Sequence, residues 1–267
     1  MASHQPDPQL FEYLTVARYA ARAAGDTLVS MLHTAKVREK SAKDLVTDAD
    51  VAAQQGIYAV LSSAFPSHAF IGEEDASESR LEDYAGRLCW IVDPIDGTAN
   101  YVHGLPNFAV SIALVADGRP IVGVVFDPMA EEMYCAVAGH PATLNDRPIR
   151  SSDCENLSDA LVAASFPPNV QAGAVEIDHF VNVLVESRSV RRLGSAALNL
   201  CFVACGRLDA YWAQQLRSWD IAAGVLIAER AGAMLTGRNG GNFDLAAGHL
   251  TIAATPSLHQ QLLQRLR

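Results

Sequence analysis

The sequence predicts an α/β fold built in layers. Short apolar, β-branched runs alternate with helix-period segments along the whole chain, half of the 267 residues are hydrophobic, and no internal repeat or low-complexity segment interrupts the pattern. A chain of this length has room for a large core, in one large or two modest domains.

The elements follow in order. Residues 8–33 place Leu10, Leu14, Ala17, Ala20, Ala21, Ala24, Leu28 and Met31 at helical spacing, with Glu12, Arg18, Arg22 and Asp26 on other faces, which predicts an amphipathic helix. Residues 34–44 are polar and basic and read as a loop or short hairpin. A second helix runs from Thr47 to about Ser63, with Thr47 or Asp48 as N-cap and Pro66 beyond its end. HAFIGEE reads as a short strand entering an acidic loop, and LCWIVDP as a further strand. AVSIALVADGRPIVGVVFDP reads as a hairpin, two β-branched runs around Asp117-Gly118, and EEMYCAVAG continues the sheet. Past residue 150, LVAASFP is a strand, 174–186 a helix, and SVRRLGS leads into the helix AALNLCFVACG, ended by Gly206. DAYWAQ is a strand, SWDIAAGVLIAERAGA a helix stopped by Gly232, and LTIAATP a last strand before a C-terminal helix. Pro and Gly signals near 139–153 divide the chain into an N-terminal α+β half, 1–150, and a C-terminal α/β half, 151–267, packed as one compact unit.

Acidic residues outnumber basic ones by 30 to 20, a formal net charge of -10, and no Lys/Arg run stands out, so no nucleic-acid-binding surface is predicted. MASHQPDPQLFEYL lacks a basic stretch followed by an apolar one, and every apolar run stops well short of ~18 residues. Neither a secretory signal nor a membrane span is expected, and a cytoplasmic location is the default. The cysteines, Cys89, Cys135, Cys154, Cys201 and Cys205, are odd in number and irregularly spaced. Cys201 and Cys205 share a helix face and read as small core residues of a reducing compartment rather than a metal pair.

The chemistry is concentrated in acids. Glu73 follows FIG, Asp93 and Asp96 sit in DPID at the end of an apolar run, and Asp220 opens a helix in SWD. A carboxylate at the end of a buried strand loses hydration, which is costly unless a cation or strong donors compensate. Hard divalent cations such as Mg²⁺ take oxygen ligands, and three or four carboxylates with a main-chain carbonyl would hold two of them. The turn Asp93-Pro94-Ile95-Asp96 lets both side chains and the Ile95 carbonyl converge, with Pro94 fixing one backbone angle. Gly97 and Thr98 then open a helix whose first N–H groups suit an anion, and cations beside them would invert the sign of an acidic pocket. Metal-assisted hydrolysis of a phosphate ester is the chemistry this arrangement favours. Taken singly, each acid has an ordinary reading: Asp96 as a helix cap, Asp220 as an N-cap before Ile221, Glu73 as a solvated loop acid.

The combination is specific. Gly72-Glu73-Glu74, DPIDGTANYVHGLPNFAVSIAL (93–114) and WDIAAGVLIAERAGA (219–233) stand in the order and spacing of the inositol monophosphatase family, and the chain resembles that family from DLVTDAD (44–50) to the last strand. The resemblance implies the sugar-phosphatase fold of alternating α/β/α/β/α layers, a homodimer, Mg²⁺ dependence, inhibition by Li⁺, and a small phosphorylated polyol or sugar as substrate, inositol 1-phosphate first. By position it implies Glu73, Asp93 and the Ile95 carbonyl as ligands of one Mg²⁺, and Asp93, Asp96 and Asp220 as ligands of a second, with a third, weaker ion near Glu73. Thr98, paired with Asp50, matches the hydroxyl that orients the attacking water, with Glu73 assisting from the metal side; the Gly97 and Thr98 amides match the phosphate cradle, together with the Ile95–Asp96 turn and Asp220. Gly194-Ser195-Ala196 matches the segment that contacts the polyol, although Ser195 also reads as an N-cap, and Arg191 matches a basic position before it.

Two departures bear on substrate. Ala213 stands where inositol-binding members carry an acid, and AGHPATLND (138–146) replaces a glycine-rich turn. Other readings weigh less. His103 in a Gly-flanked turn reads as a backbone hydrogen-bonder before a general acid, and Ser111 and Ser165 lack the context of a serine nucleophile. An aspartyl-phosphate enzyme with Asp93 as nucleophile would need downstream Lys and acidic motifs that are not found at workable positions. Fructose 1,6-bisphosphate and histidinol phosphate are alternative substrates, and a non-catalytic interaction protein of the same fold would be expected to have lost some of these acids.

Overall fold

The computed structural model describes residues 8–41, 44–75, 81–167 and 169–267. Its first half comprises α1 (Pro8–Met31), the hairpin β1 (Val37–Ser41) and β2 (Asp44–Thr47), α2 (Asp48–Ala64), β3 (Ala69–Gly72), β4 (Cys89–Asp96), α3 (Thr98–Val102), β5 (Ala109–Ala116), β6 (Arg119–Asp127), β7 (Glu132–Val137), β8 (Thr143–Leu144) and β9 (Arg147–Pro148). There follow β10 (Leu161–Ser165), α4 (Val175–Glu186), β11 (Ser189–Arg191), α5 (Ala196–Ala204), β12 (Ala210–Ala213), α6 (Ser218–Arg230), β13 (Met234–Thr236), β14 (Leu250–Ala253) and α7 (Pro256–Arg265).

Besides the two-stranded β1–β2 hairpin, two larger sheets organise these elements. Strands β3 to β9 form a seven-stranded sheet in chain order, parallel only at β3–β4. The other sheet has five strands in the order β11-β10-β12-β14-β13, parallel among the first three and antiparallel beyond. Alternation along β4 explains the layering. Trp90 and Val92 enter a core shared with Leu28 of α1 and Ile57 of α2, while Cys89 and Ile91 enter one shared with α5, α6 and the inner face of the small sheet. The small sheet's outer face, with Val162, Trp212 and Ala253, packs on Val183 of α4 and on Leu258 and Leu262 of α7. The order is therefore helix pair, sheet, helix pair, sheet, helix pair, the α/β/α/β/α arrangement expected from the resemblance.

The long elements lie where periodicity puts them. The hairpin turn uses Asp117 and Gly118 with φ of 46° and 74°, the left-handed pair that matches strand twist. Strands β8, β9, β11 and β13 were not predicted; at two or three residues each, they show no periodic window and exist only because a neighbouring strand pairs them. Residues 42–43 of the predicted loop or hairpin and 76–80 of the acidic loop lie outside the described residues. Among the described residues no helix is long and apolar enough to cross a membrane. The thiols of all five cysteines are free, and Cys201 is fully buried.

Candidate active site

In a regular strand, residues three apart face opposite sides of the sheet. Asp93 pairs with Ser111 and Asp96 with Ala109, so three steps on β4 match two on β5, and the extra residue is a β-bulge. The bulge turns the buried Ile95 side chain toward α1 and α2 and brings Asp96 to the same side as Asp93. The Ile95 amide donates to Asp93 Oδ1 at 2.9 Å and closes the turn. Gly97 follows with φ of 101°, in the left-handed region that a residue with a Cβ enters only under strain, and α3 starts at Thr98.

Asp220 arrives from the other half of the chain. It is the third residue of α6 and accepts from the Arg217 amide at 2.7 Å. Ser111, opposite Asp93, donates to the Trp219 carbonyl at 3.2 Å and ties the start of α6 to β5 beside the bulge. Carboxylate oxygens of Asp93, Asp96 and Asp220 thereby lie within 4.8 Å of one another, the first two buried and the third half-buried. Glu73 follows β3, which runs alongside β4; its amide donates to the Val92 carbonyl at 3.1 Å, and its carboxyl is within hydrogen-bonding reach of Asp93. The next amide, Glu74, donates to Gln54 of α2 at 2.9 Å.

Asp50 sits at the start of α2 in a capping box. Its Oδ2 accepts from the amide and the hydroxyl of Thr47 at 2.7 and 2.6 Å, and its Oδ1 faces the Thr98 hydroxyl at 3.4 Å. The same Thr98 hydroxyl lies 3.0 Å from the Ile95 carbonyl, so Asp50, Thr98 and the bulge are in register.

Asp96 is held by the N-terminus of α5. The Ser195 hydroxyl donates to Oδ2, the Ala197 amide to Oδ2 at 2.7 Å and the Ala196 amide to Oδ1 at 3.2 Å. Ser195 Oγ also accepts from the Leu198 amide at 3.1 Å, which makes it the N-cap. The segment expected to face a polyol thus has a prior role in gripping a carboxylate. The Leu193 carbonyl just before it receives the side-chain amides of Asn100 and Asn107 at 2.8 and 3.0 Å, and Asn100 also donates to the Asn107 carbonyl at 2.7 Å. Thr47, Gln54, Asn100, Asn107 and Ser111 were not assigned these positioning roles from sequence. Asn100, Asn107 and Ser111 do lie within the matched motif, and Thr47 already reads as an N-cap of α2; Gln54 carries no local signal.

Burial pushes every one of these aspartates toward the protonated form, and repulsion from neighbouring acids adds to it at Asp93 and Asp220. Burial is the largest cause throughout. It raises Asp50 to about 6 against the Thr47 hydrogen bonds, and Asp96 to about 6 against its Ser195 and amide donors. Asp93 is driven well above 3.8 by burial and the charges of Glu73, Asp96 and Asp220, and Asp220 likewise by burial and Asp96. Oxygen donors this crowded fit a hard divalent cation, whose charge removes the repulsion.

The remaining sequence candidates lie elsewhere or do something else. His103 is exposed at the end of α3, Ser165 Oγ accepts from Tyr211 at 2.8 Å, and the exposed Arg191 bonds its neighbours Ser189 and Val190. Ala213 is buried at the end of β12 and offers no polar group. The divergent loop at 138–146 leans on α1 and the end of α6: His140 accepts from Arg230, and Asp146 pairs with Arg18. Arg230 is ten residues from Asp220 along α6, about 15 Å by helical rise, so this loop does not shape the carboxylate site.

A five-layer α/β chain with an acid cage at the bulged end of a central strand belongs to the class of layered phosphatase folds. The particular family is the inositol monophosphatase family: its model matches residues 9–267, and the chain belongs to it. The chain is similar to a protein named inositol monophosphatase 2 from Solanum lycopersicum, 41% identical over 249 residues that cover 91% of this chain and 93% of that one. It is also similar to a protein named Nus factor SuhB from Pasteurella multocida, 37% identical over 258 residues and 95% of each chain. Among solved structures, the extragenic suppressor protein SuhB of Bartonella henselae superposes with a TM-score of 0.87 at 35% identity, covering 96% of this chain and 98% of that one. The IMPase of Thermotoga maritima superposes with a TM-score of 0.85 at 31% identity, covering 96% of each.

Proposed function

We propose that the chain hydrolyses small phosphate monoesters of polyols or sugars with Mg²⁺, inositol 1-phosphate first among them, and works in the cytoplasm as a homodimer. The observation that carries the reading is the convergence of Asp93, Asp96 and Asp220 from two halves of the chain, beside Glu73 and the Thr98–Asp50 pair. Glu73, Asp93 and the Ile95 carbonyl would hold one ion, and Asp93, Asp96 and Asp220 a second; a third, weaker ion belongs near Glu73. Bound Mg²⁺ supplies charge neutralisation and a water of lowered pKa. Thr98 and Asp50 orient the attacking water, and Asp50, with Oδ2 pinned by Thr47 and a pKa raised to about 6, accepts its proton through Oδ1. The Gly97 and Thr98 amides hold the phosphate. The Gly194–Ala196 loop, fastened to Asp96, borders the polyol.

The relatives named inositol monophosphatase favour inositol 1-phosphate, and the missing acid at Ala213 favours a poorer grip on its hydroxyls. Inositol 1-phosphate, fructose 1,6-bisphosphate and histidinol phosphate, assayed side by side with Mg²⁺ and with or without Li⁺, rank the candidates. Mg²⁺-dependent, Li⁺-sensitive phosphate release is expected from wild type. In Asp93→Asn turnover is expected to fall at least ~10²-fold, the loss seen when one electrostatic contact of a transition state is removed. Wild-type turnover in that folded variant would remove Asp93 from the metal site.

A further inference from the structure

The small sheet has a second face, away from the carboxylates. At the edge where β12 ends and β14 begins, between α4 and α7, a cavity of about 460 Å³ opens on that face. Trp212 and Gln214 come from β12 and the loop after it, and His179 from α4. His249 stands just before β14, and Arg238 and Asn239 form an exposed rim after β13. α7 contributes an apolar floor.

The lining is selective in charge. Among the described residues no carboxylate side chain lines this cavity, in a chain whose formal net charge is -10. Two arginines line it, Arg238 and Arg267, and neither has a carboxylate side-chain partner among the described residues. Burial, with the nearby charge of Arg238, disfavours protonation of His179 and His249, so each imidazole presents one N–H and one acceptor. Glu176 and Asp178, the acids that act on His179 through space, stand on α4 outside the lining. Gln214 Nε2 lies 3.5 Å from His179 Nδ1, and Nδ1 of His249 is buried without a hydrogen-bond partner among the described residues. A concave site with an apolar floor, an aromatic wall, two guanidinium groups and two neutral imidazoles has the make-up of a small-molecule pocket.

We propose that this cavity binds a small organic anion with an apolar or aromatic body, its charged end at Arg238 and the neighbouring ring and amide N–H groups, its body against Trp212 and α7. The metal centre lies on the other face of the sheet; Ala213, at the end of β12 where the polyol-facing acid of relatives would stand, also lines this cavity, and the ligand here need not be a substrate.

Phenylphosphonate is a suitable probe, because it carries a dianion on an aromatic ring and has no ester to hydrolyse. Calorimetric titration of the full chain in EDTA is expected to show saturable binding at a single site. Arg238→Gln should weaken that binding by at least about tenfold, the share of one charge-assisted contact. Asp93→Asn should leave it unchanged, and benzyl alcohol, with the ring and no charge, should not bind. His249→Phe provides a second variant should Arg238→Gln misfold, and it too should weaken binding. No saturable binding to wild type at millimolar probe overturns the proposal. So does binding that survives folded Arg238 and His249 variants, or binding that appears only with Mg²⁺ and vanishes in Asp93→Asn, since the probe would then sit at the carboxylates.

Discussion

The side-chain amide of Asn100 donates to the carbonyls of Asn107 and Leu193, and the residues after Leu193 hold Asp96. An uncharged group that touches none of the acids therefore sets the position of one of them. Removing it in Asn100→Ala leaves the Asn107 carbonyl without this donor, while Leu193 keeps the second donor from Asn107. The cost is expected at about 1–3 kcal/mol of stability, the range for one unsatisfied buried polar group. Because the loop that grips Asp96 loosens, the Mg²⁺ concentration needed for half-maximal turnover should rise. Denaturant unfolding and a Mg²⁺ titration of activity test the two effects together. A stability loss with an unchanged Mg²⁺ requirement would make Asn100 structural only.

At the scale of elements, α6 must bring Asp220 to β4, and at Gly123 it lies against the sheet with no room for a Cβ. A Cβ added to Gly123 of β6 would stand 2.8 Å from the Ala223 carbonyl of α6, a backbone atom that cannot turn aside. Gly123→Ala is expected to lift α6 from the sheet, costing about 1–3 kcal/mol as an overpacked core does, and to weaken Mg²⁺ binding through Asp220. Calorimetric Mg²⁺ titration alongside thermal unfolding would separate this from a harmless adjustment, in which both stay at wild-type values. Such contacts also mark what sequence does and does not disclose. The long helices and β4 to β6 were legible because each has a full period of apolar residues, and the acids because they interrupt that period. The bulge was not, since DPID reads alike as a turn beyond a strand or an interruption within one, and only the Asp93–Ser111 and Asp96–Ala109 pairings tell them apart. Ser195 was legible as an N-cap, but its grip on Asp96, 99 residues away, was not. Long-range polar partners leave no periodic trace.

For the molecule as a whole, burial shifts two sets of groups in ways that affect stability with opposite signs. His68, His179, His249 and His259 are held below the usual 6.5 by burial. Below about 6.5 the unfolded chain binds more protons at these rings than the folded one, so their contribution falls as pH falls. The site carboxyls run the other way. Asp50 and Asp96 are raised from 3.8 to about 6, and Asp93 and Asp220 further, so without cations their stabilisation is full below 3.8 and is lost as pH rises through the folded values. Mg²⁺ requires the ionised ligands and competes with those protons. Thermal unfolding from pH 5 to 8 should then give two curves of different shape. With Mg²⁺ at about 100 times its Kd the folded state gains about 2.7 kcal/mol, several degrees of midpoint, near pH 7.5. That gap to the EDTA curve should narrow as pH falls through 6, because the acids keep their protons and the ion is excluded. The Mg²⁺ curve should decline on the acid side, where it loses both the ion and the histidine contribution, while the EDTA curve changes less because its carboxyl and histidine contributions oppose. A gap that stays constant from pH 8 to 5 would mean that the caged acids are ionised without a cation, and their convergence would then need another explanation than a site for metal.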